Sequence, residues 1–109
     1  MKQVTADAQA ETAALIAELW QRHLPTMRER LDILDRIADS AAAHPLTEED
    51  RAEAIAISHK LAGSLGMYGY SRGSEVAMKM EHLFRSLPLE RTDLVTPLVI
   101  ELRQSLFPS

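Results

Sequence analysis

The sequence predicts an all-α fold: an antiparallel four-helix bundle with an additional short N-terminal helix covering one end. Three observations lead there. Leu and Ala each occur 15 times against only four Val, and the first two favour helices whereas Val favours strands. Apolar residues recur every three or four positions in successive stretches, and nowhere do they alternate with period two. Pro25, Pro45 and Pro88 fall between those stretches, where proline suits a helix end.

With 109 residues the chain has room for one hydrophobic core, so a single domain over 1–109 is expected, its core spanning roughly residues 7–107. The first helix is expected from about Asp7 to His23, with Ala14, Leu15, Leu19 and Trp20 on its apolar side. The second begins near Thr26, after Pro25, and runs to about Ala43. Its Met27, Leu31, Leu34, Ala38 and Ala41 follow the spacing of a buried stripe. The third opens at Thr47, whose hydroxyl can cap the amide of Asp50, with Glu48, Glu49 and Asp50 favourably placed in the first turn. It should reach about Gly66. Ser71 or Ser74 can open the fourth, which packs Val76, Met80, Leu83 and Leu87. The fifth runs from about Thr92 to Leu106, with Leu94 or Val95, Leu98, Leu102 and Leu106 inward. Pro97 either kinks it or stands at its first helical position behind a Thr96 cap.

Composition narrows the function classes. The net charge of −4 and a pI near 5.5 disfavour a stand-alone nucleic-acid binder, which needs Lys and Arg to replace counterions. There is no cysteine, which removes disulfides, thiolate metal sites and a thiol nucleophile. No apolar run approaches the roughly 20 residues that span a bilayer, and no signal-peptide stretch is visible. A cytoplasmic protein without a membrane partner is the expectation. A Gly-rich P-loop and an ATP-binding domain are absent from the sequence, so the chain is not expected to be a kinase.

The third helix carries the most informative feature. With Leu61 at zero on a wheel of about 100° per residue, Ala54, Ile57, Leu65 and Tyr68 fall within roughly 40° of it, and His59 lands at roughly 160°. Around His59 on that outer side lie Ala52, Ile55, Ala56, Ala62, Gly63 and Gly66. A solvated helix face is ordinarily charged or polar. Here it is small and apolar, with an imidazole in its middle. Gly63 stands one turn after His59 and costs about 0.5–1 kcal/mol relative to alanine in a helix interior. Close approach of another molecule would explain it; a helix end followed by a turn would also use glycines at Gly63, Gly66 and Gly69. Ile55, one turn before His59, and Ile33, flanking the inward stripe of the second helix, either border an apolar docking patch or complete the core.

The remaining histidines carry less. His23 and His44 stand at expected helix ends beside prolines, and His82 beside Glu81 is expected to be exposed. The His-x-x-x-His and Glu-x-x-His spacings that aim two helical ligands at one ion do not occur, so no metal site is expected.

The run Ser58-His59-Lys60-Leu61-Ala62-Gly63-Ser64-Leu65-Gly66-Met67-Tyr68-Gly69 resembles the signature of histidine-containing phosphotransfer (HPt) domains. In that family a helical histidine is followed by Leu at the second position and Gly at the fourth, then by small residues and a Gly-containing turn. Leu61, Gly63, Ser64, Gly66 and Gly69 match, and chain length, the second helix and Met80-Glu81-His82-Leu83 add to the likeness. One place departs: the family's usual Lys before the Gly is Ala62 here, and Lys60 is the nearest cation in sequence. The resemblance implies a phosphorelay carrier with His59 as phosphoacceptor through Nε2 and Lys60 as a candidate for phosphate stabilisation. Gly63, Ile55, Ala62, Gly66 and Ile33 would serve access and docking. It also implies exchange with the aspartate of response-regulator receiver domains, a hybrid or sensor histidine kinase upstream, and Mg²⁺ held by the receiver, with no cofactor in this chain and a monomeric state. The chemistry is sound: an exposed imidazole has an intrinsic pKa of about 6.5 and is largely the neutral nucleophile near neutral pH. Two alternatives stay open, a non-catalytic helical interaction module and a pseudo-HPt that docks on receivers or kinases without accepting phosphate.

Overall fold

The computed structural model describes residues 2–86 and 93–107. These form four α-helices and, among the described residues, no strand: α1 (Lys2–Ala43), α2 (Glu48–Met67), α3 (Ser71–Ser86) and α4 (Val95–Leu106). Leu87, Pro88 and Thr92, which figure in the expected end of one helix and start of the next, lie outside the described residues.

The first two expected helices are a single helix. Pro25 stands inside α1 and does not end it. Proline withdraws one amide from the carbonyl of Gln21 and crowds that turn, but packing holds the chain on both sides of it. Trp20 is buried against Tyr68 and Tyr70, with ring centroids 5.3 and 4.5 Å away, and Met27 is fully buried. The expected N-terminal helix folded over one end is therefore absent as a separate element. Of its apolar side only Trp20 is buried; Ala14, Leu15 and Leu19 are exposed. The continuous helix carries them past the other three helices, which makes the whole molecule elongated, with extents of 60 × 24 × 23 Å.

Beyond Pro25 the expected stripe is in place, with Met27, Leu31, Leu34, Ala38 and Ala41 all buried. Thr47 caps α2, its side chain accepting from the Asp50 amide at 3.1 Å. α4 starts at Val95, so Pro97 falls within its first turn, where amides have no intrahelical partner to lose. There Val95 points inward and Leu94 outward. Phe84, Val99, Ile37 and Leu46 complete the core alongside Leu61, Leu65, Val76, Met80, Leu102 and Leu106. Each helix packs on two others, in the pairs α1–α2, α2–α3, α3–α4 and α1–α4. Surface ion pairs bridge three of those seams: Arg36 to Asp50 and Glu53, Arg72 to Glu101, and Arg103 to Asp32 and Asp35.

Candidate functional site

The site is built on the α2–α3 pair. α2 ends in a Schellman arrangement, with the Tyr70 amide donating to the Leu65 carbonyl at 2.8 Å and the Gly69 amide to that of Gly66 at 3.2 Å. Gly69 has φ +86°, which a glycine adopts without strain. This tight reversal lays α3 back along α2. At its far end Arg51 Nη1 donates to the Phe84 carbonyl, and near the turn Ser74 Oγ donates to the Ala62 carbonyl at 2.8 Å.

His59 stands in the middle of α2, its side chain 74% exposed. Its Nδ1 lies 3.0 Å from Glu81 Oε1 on α3. The other carboxylate oxygen of Glu81 accepts from Arg85 Nη2 at 3.1 Å and Nε at 3.3 Å. The hydrogen bond from His59 holds the Glu81 carboxyl below its ordinary value; Arg85 adds to the effect, and partial burial opposes it. A carboxylate has only acceptor oxygens, so the proton in this contact belongs to His59 Nδ1. Nε2 is then the ring nitrogen with the free lone pair, and it has no hydrogen-bond partner among the described residues. An exposed, oriented nucleophilic nitrogen is the chemical content of the arrangement.

The surroundings sort into open and closed positions. A Cβ added at Gly63 would meet nothing within 4 Å, so no packing among the described residues requires a glycine there. At Gly66 it would sit 3.4 Å from Ser74 Oγ, so that glycine lies against α3. Ala62 and Ile55, expected on the outer side, are half-buried and packed against the core, as is Ile33 on α1. Ala62 is partly covered because α3 lies along that flank of α2, as its hydrogen bond from Ser74 shows, which periodicity along α2 does not contain; the half-burial of Ile55 and Ile33 is compatible with either of their two expected roles. Lys60 is exposed and makes no hydrogen bond or ion pair among the described residues.

The other histidines lie elsewhere. His23 is half-buried inside α1 rather than at a helix end, its ring 5.9 Å from that of Tyr68. His44 follows α1, with Nε2 3.2 Å from Ser40 Oγ and Nδ1 3.2 Å from the Pro45 carbonyl. His82 is exposed on the rim of an apolar groove of about 490 Å³ beside Met78, Leu83 and Leu98. Among the described residues no group of three or more His, Cys, Asp or Glu side chains could hold a metal ion. Nor is any helix there long and apolar enough to cross a membrane.

Glu81 and Arg85 are the site residues that sequence reasoning missed. Their spacing of four is a visible salt-bridge signal on a helix, but the bond to His59 joins residues 22 apart. Nothing periodic links them.

A family model described as the Hpt domain matches residues 18–106. Protein RcaC of Microchaete diplosiphon is 29% identical over 79 residues, which are 72% of this chain and 12% of that protein. The chain thus spans only a small part of that relative. No solved structure matches it. Matched across all four helices, from Glu18 in α1 to Leu106 at the end of α4, the chain belongs to the Hpt domain family.

Proposed function

We propose that the chain is a phosphorelay carrier that accepts and donates a phosphoryl group on His59, exchanging it with the aspartate of response-regulator receiver domains. One observation carries the reading: an exposed imidazole whose Nδ1 is held by Glu81, leaving Nε2 without a partner among the described residues, with the open Gly63 one turn further along α2. In the forward step the Nε2 lone pair attacks the phosphorus of an aspartyl phosphate. The N–P bond forms as the P–O bond to the aspartate breaks, and that electron pair leaves on the aspartate carboxylate. The ring becomes cationic, and its Nδ1 proton stays on the hydrogen bond to Glu81, whose negative charge offsets it. Transfer out retraces the same path.

Phosphoryl transfer depends chiefly on in-line placement and charge stabilisation. The receiver supplies the acidic pocket and its Mg²⁺, and this chain, a carrier rather than a kinase, presents the imidazole. Lys60, exposed on the same helix, is available to the transferred group in place of a lysine at Ala62. The half-buried Ile55 and Ile33 border the docking patch. The antiparallel four-helix bundle is the fold we infer for this role; the packing of each helix on two neighbours supports it. A cytoplasmic location fits exchange with receiver domains and a hybrid or sensor histidine kinase.

The test is to incubate the chain with a phosphorylated receiver domain and assay acid-labile, base-stable phosphate. His59→Gln should abolish incorporation with unchanged helical circular dichroism, because the side chain is exposed and leaves no cavity. Phosphate persisting in that variant, or found on His23, His44 or His82, would overturn the assignment. Receiver binding without incorporation in the parent would instead identify a docking module or pseudo-HPt.

A further inference from the structure

Glu81 does two opposed things to His59. Its Oε1 accepts from Nδ1 and so leaves the lone pair on Nε2. A carboxylate beside an imidazole also favours the imidazolium. That form carries a proton on both nitrogens and has no lone pair with which to attack phosphorus. The group that orients the nucleophile therefore also works to disable it.

Arg85 stands where the second effect can be corrected. It lies one turn after Glu81, in the last turn of α3. Helical side chains lean toward the N-terminus, which brings its guanidinium back over the carboxylate. Nη2 and Nε donate at 3.1 and 3.3 Å, and both bonds fall on Oε2. Oε1 is left to the ring at 3.0 Å. Glu81, its side chain only 19% exposed, thus gives one oxygen to the cation and one to the imidazole. The guanidinium stays charged throughout the range in which histidine titrates.

The other charged groups point elsewhere. α1 and α3 are the helices packed on α2. α1 lies on the side of α2 turned away from His59, where its Arg36 meets Asp50 and Glu53. On α3, Glu75, Lys79 and His82 line the groove toward α4, and Arg72 pairs with Glu101 of α4. On α2 itself Lys60 is next in the chain, about 100° round the helix.

We propose that Arg85 is a positioning residue for phosphoryl transfer at His59: it fixes Glu81 with one oxygen on Nδ1 and offsets its charge, so that the ring stays a neutral nucleophile. The proposal rests on His59 being the phosphoacceptor. Arg85 acts through Glu81 and needs no contact with the phosphoryl group. The same offset acts on the phosphorylated ring, which is also cationic. Glu81 stabilises that ring less than an unpaired carboxylate would, and the group stays ready to leave. An ordinary ion pair four residues apart on a helix would support α3 without either effect on the ring.

Two variants of the full chain, Arg85→Gln and Arg85→Lys, test the role of the charge. Imidazole 15N NMR follows the ring without any phosphate, and His59→Gln identifies its signals. In Arg85→Gln the imidazolium should persist to higher pH than in the parent. Arg85→Lys keeps the cation and should restore most of the difference. Phosphate incorporation from a phosphorylated receiver should be about two- to fivefold slower in Arg85→Gln on the acid side of that transition. On the alkaline side it should converge with the parent. An unmoved ring transition in Arg85→Gln overturns the proposal and leaves Arg85 a surface ion pair. So does a rate loss of the same size at every pH, or an Arg85→Lys variant that behaves as Arg85→Gln does. A parent chain that takes up no phosphate would refute the role of His59 instead, and the NMR would still read the response of the ring to Arg85.

Discussion

Replacing Gly63 with glutamine adds a side chain one turn after His59, on the open side of α2. A glycine in a helix interior is less favourable than alanine by about 0.5–1 kcal/mol, and glutamine is nearly as good a helix former as alanine. The new Cβ meets nothing within 4 Å, so no overpacking penalty opposes that gain. About 1 kcal/mol moves the melting temperature of a domain near this size by about 4–8 °C, so Gly63→Gln should raise it by about 2–6 °C. The consequence for transfer is opposite. Helical side chains lean toward the N-terminus, which turns the glutamine toward His59 and into the path of an approaching receiver. Misplacing reacting atoms by about 1 Å costs on the order of 100-fold in rate, so transfer from a phosphorylated receiver should slow by about 10- to 100-fold. Thermal melts followed by circular dichroism give the first quantity, and time-resolved phosphate incorporation gives the second. A parental transfer rate would show that Gly63 does not serve access, and a lowered melting temperature would show that its surroundings are not open.

Glu81→Gln exchanges an obligate acceptor for an amide that can also donate, so the proton on His59 is no longer fixed at Nδ1; transfer should slow by on the order of tenfold or more with little change in folding. The same variant tests pH dependence. Because the folded Glu81 carboxyl is held below its ordinary 4.5, its contribution is present above that pH and is lost as pH falls below it, so acid melts of Glu81→Gln should fall less steeply there. Parallel acid limbs would refute the coupling. Gly73→Ala should lower the melting temperature, since its Cβ would meet Leu65 Cδ1 at 3.1 Å, Ser105 Oγ at 3.2 Å and Leu106 Cδ2 at 3.3 Å. Overpacking of about 1–3 kcal/mol outweighs the helix gain, and an unchanged or raised value would mean that the seam yields. Ile55→Asp should abolish receiver binding in a chain that still melts cooperatively, as its half-burial allows; outright unfolding would make Ile55 a core residue instead.

Much of the site was legible in the sequence because it depends on local order. The outward placement of His59 follows from the 3.6-residue period that buries Leu61 and Leu65, and the Thr47 cap follows from a hydroxyl three residues before the Asp50 amide. The Gly63 argument was legible in part: its helical cost is a property of the residue, but its open surroundings are not. Gly73 makes the contrast. It looks like one more glycine of the cluster, yet it lies where α3 closes on Leu65 of α2 and Leu106 of α4.

By itself the sequence determined the helical class, the stripe from Met27 to Ala41, the capped start of α2 and the exposure of His59. These rest on propensity, periodicity and capping, which act within a few residues. The tertiary structure decided what depends on how helices sit against one another. It joined Glu81 to His59 across two helices, set Ala62 against α3 and left Ile55 half-buried. It also carried α1 through Pro25, because the buried Trp20 and Met27 on either side hold the helix in line. That continuity left Leu15, Ile16 and Leu19 in solvent, since a proline's local cost says where a helix can break, whereas long-range packing determines whether it does.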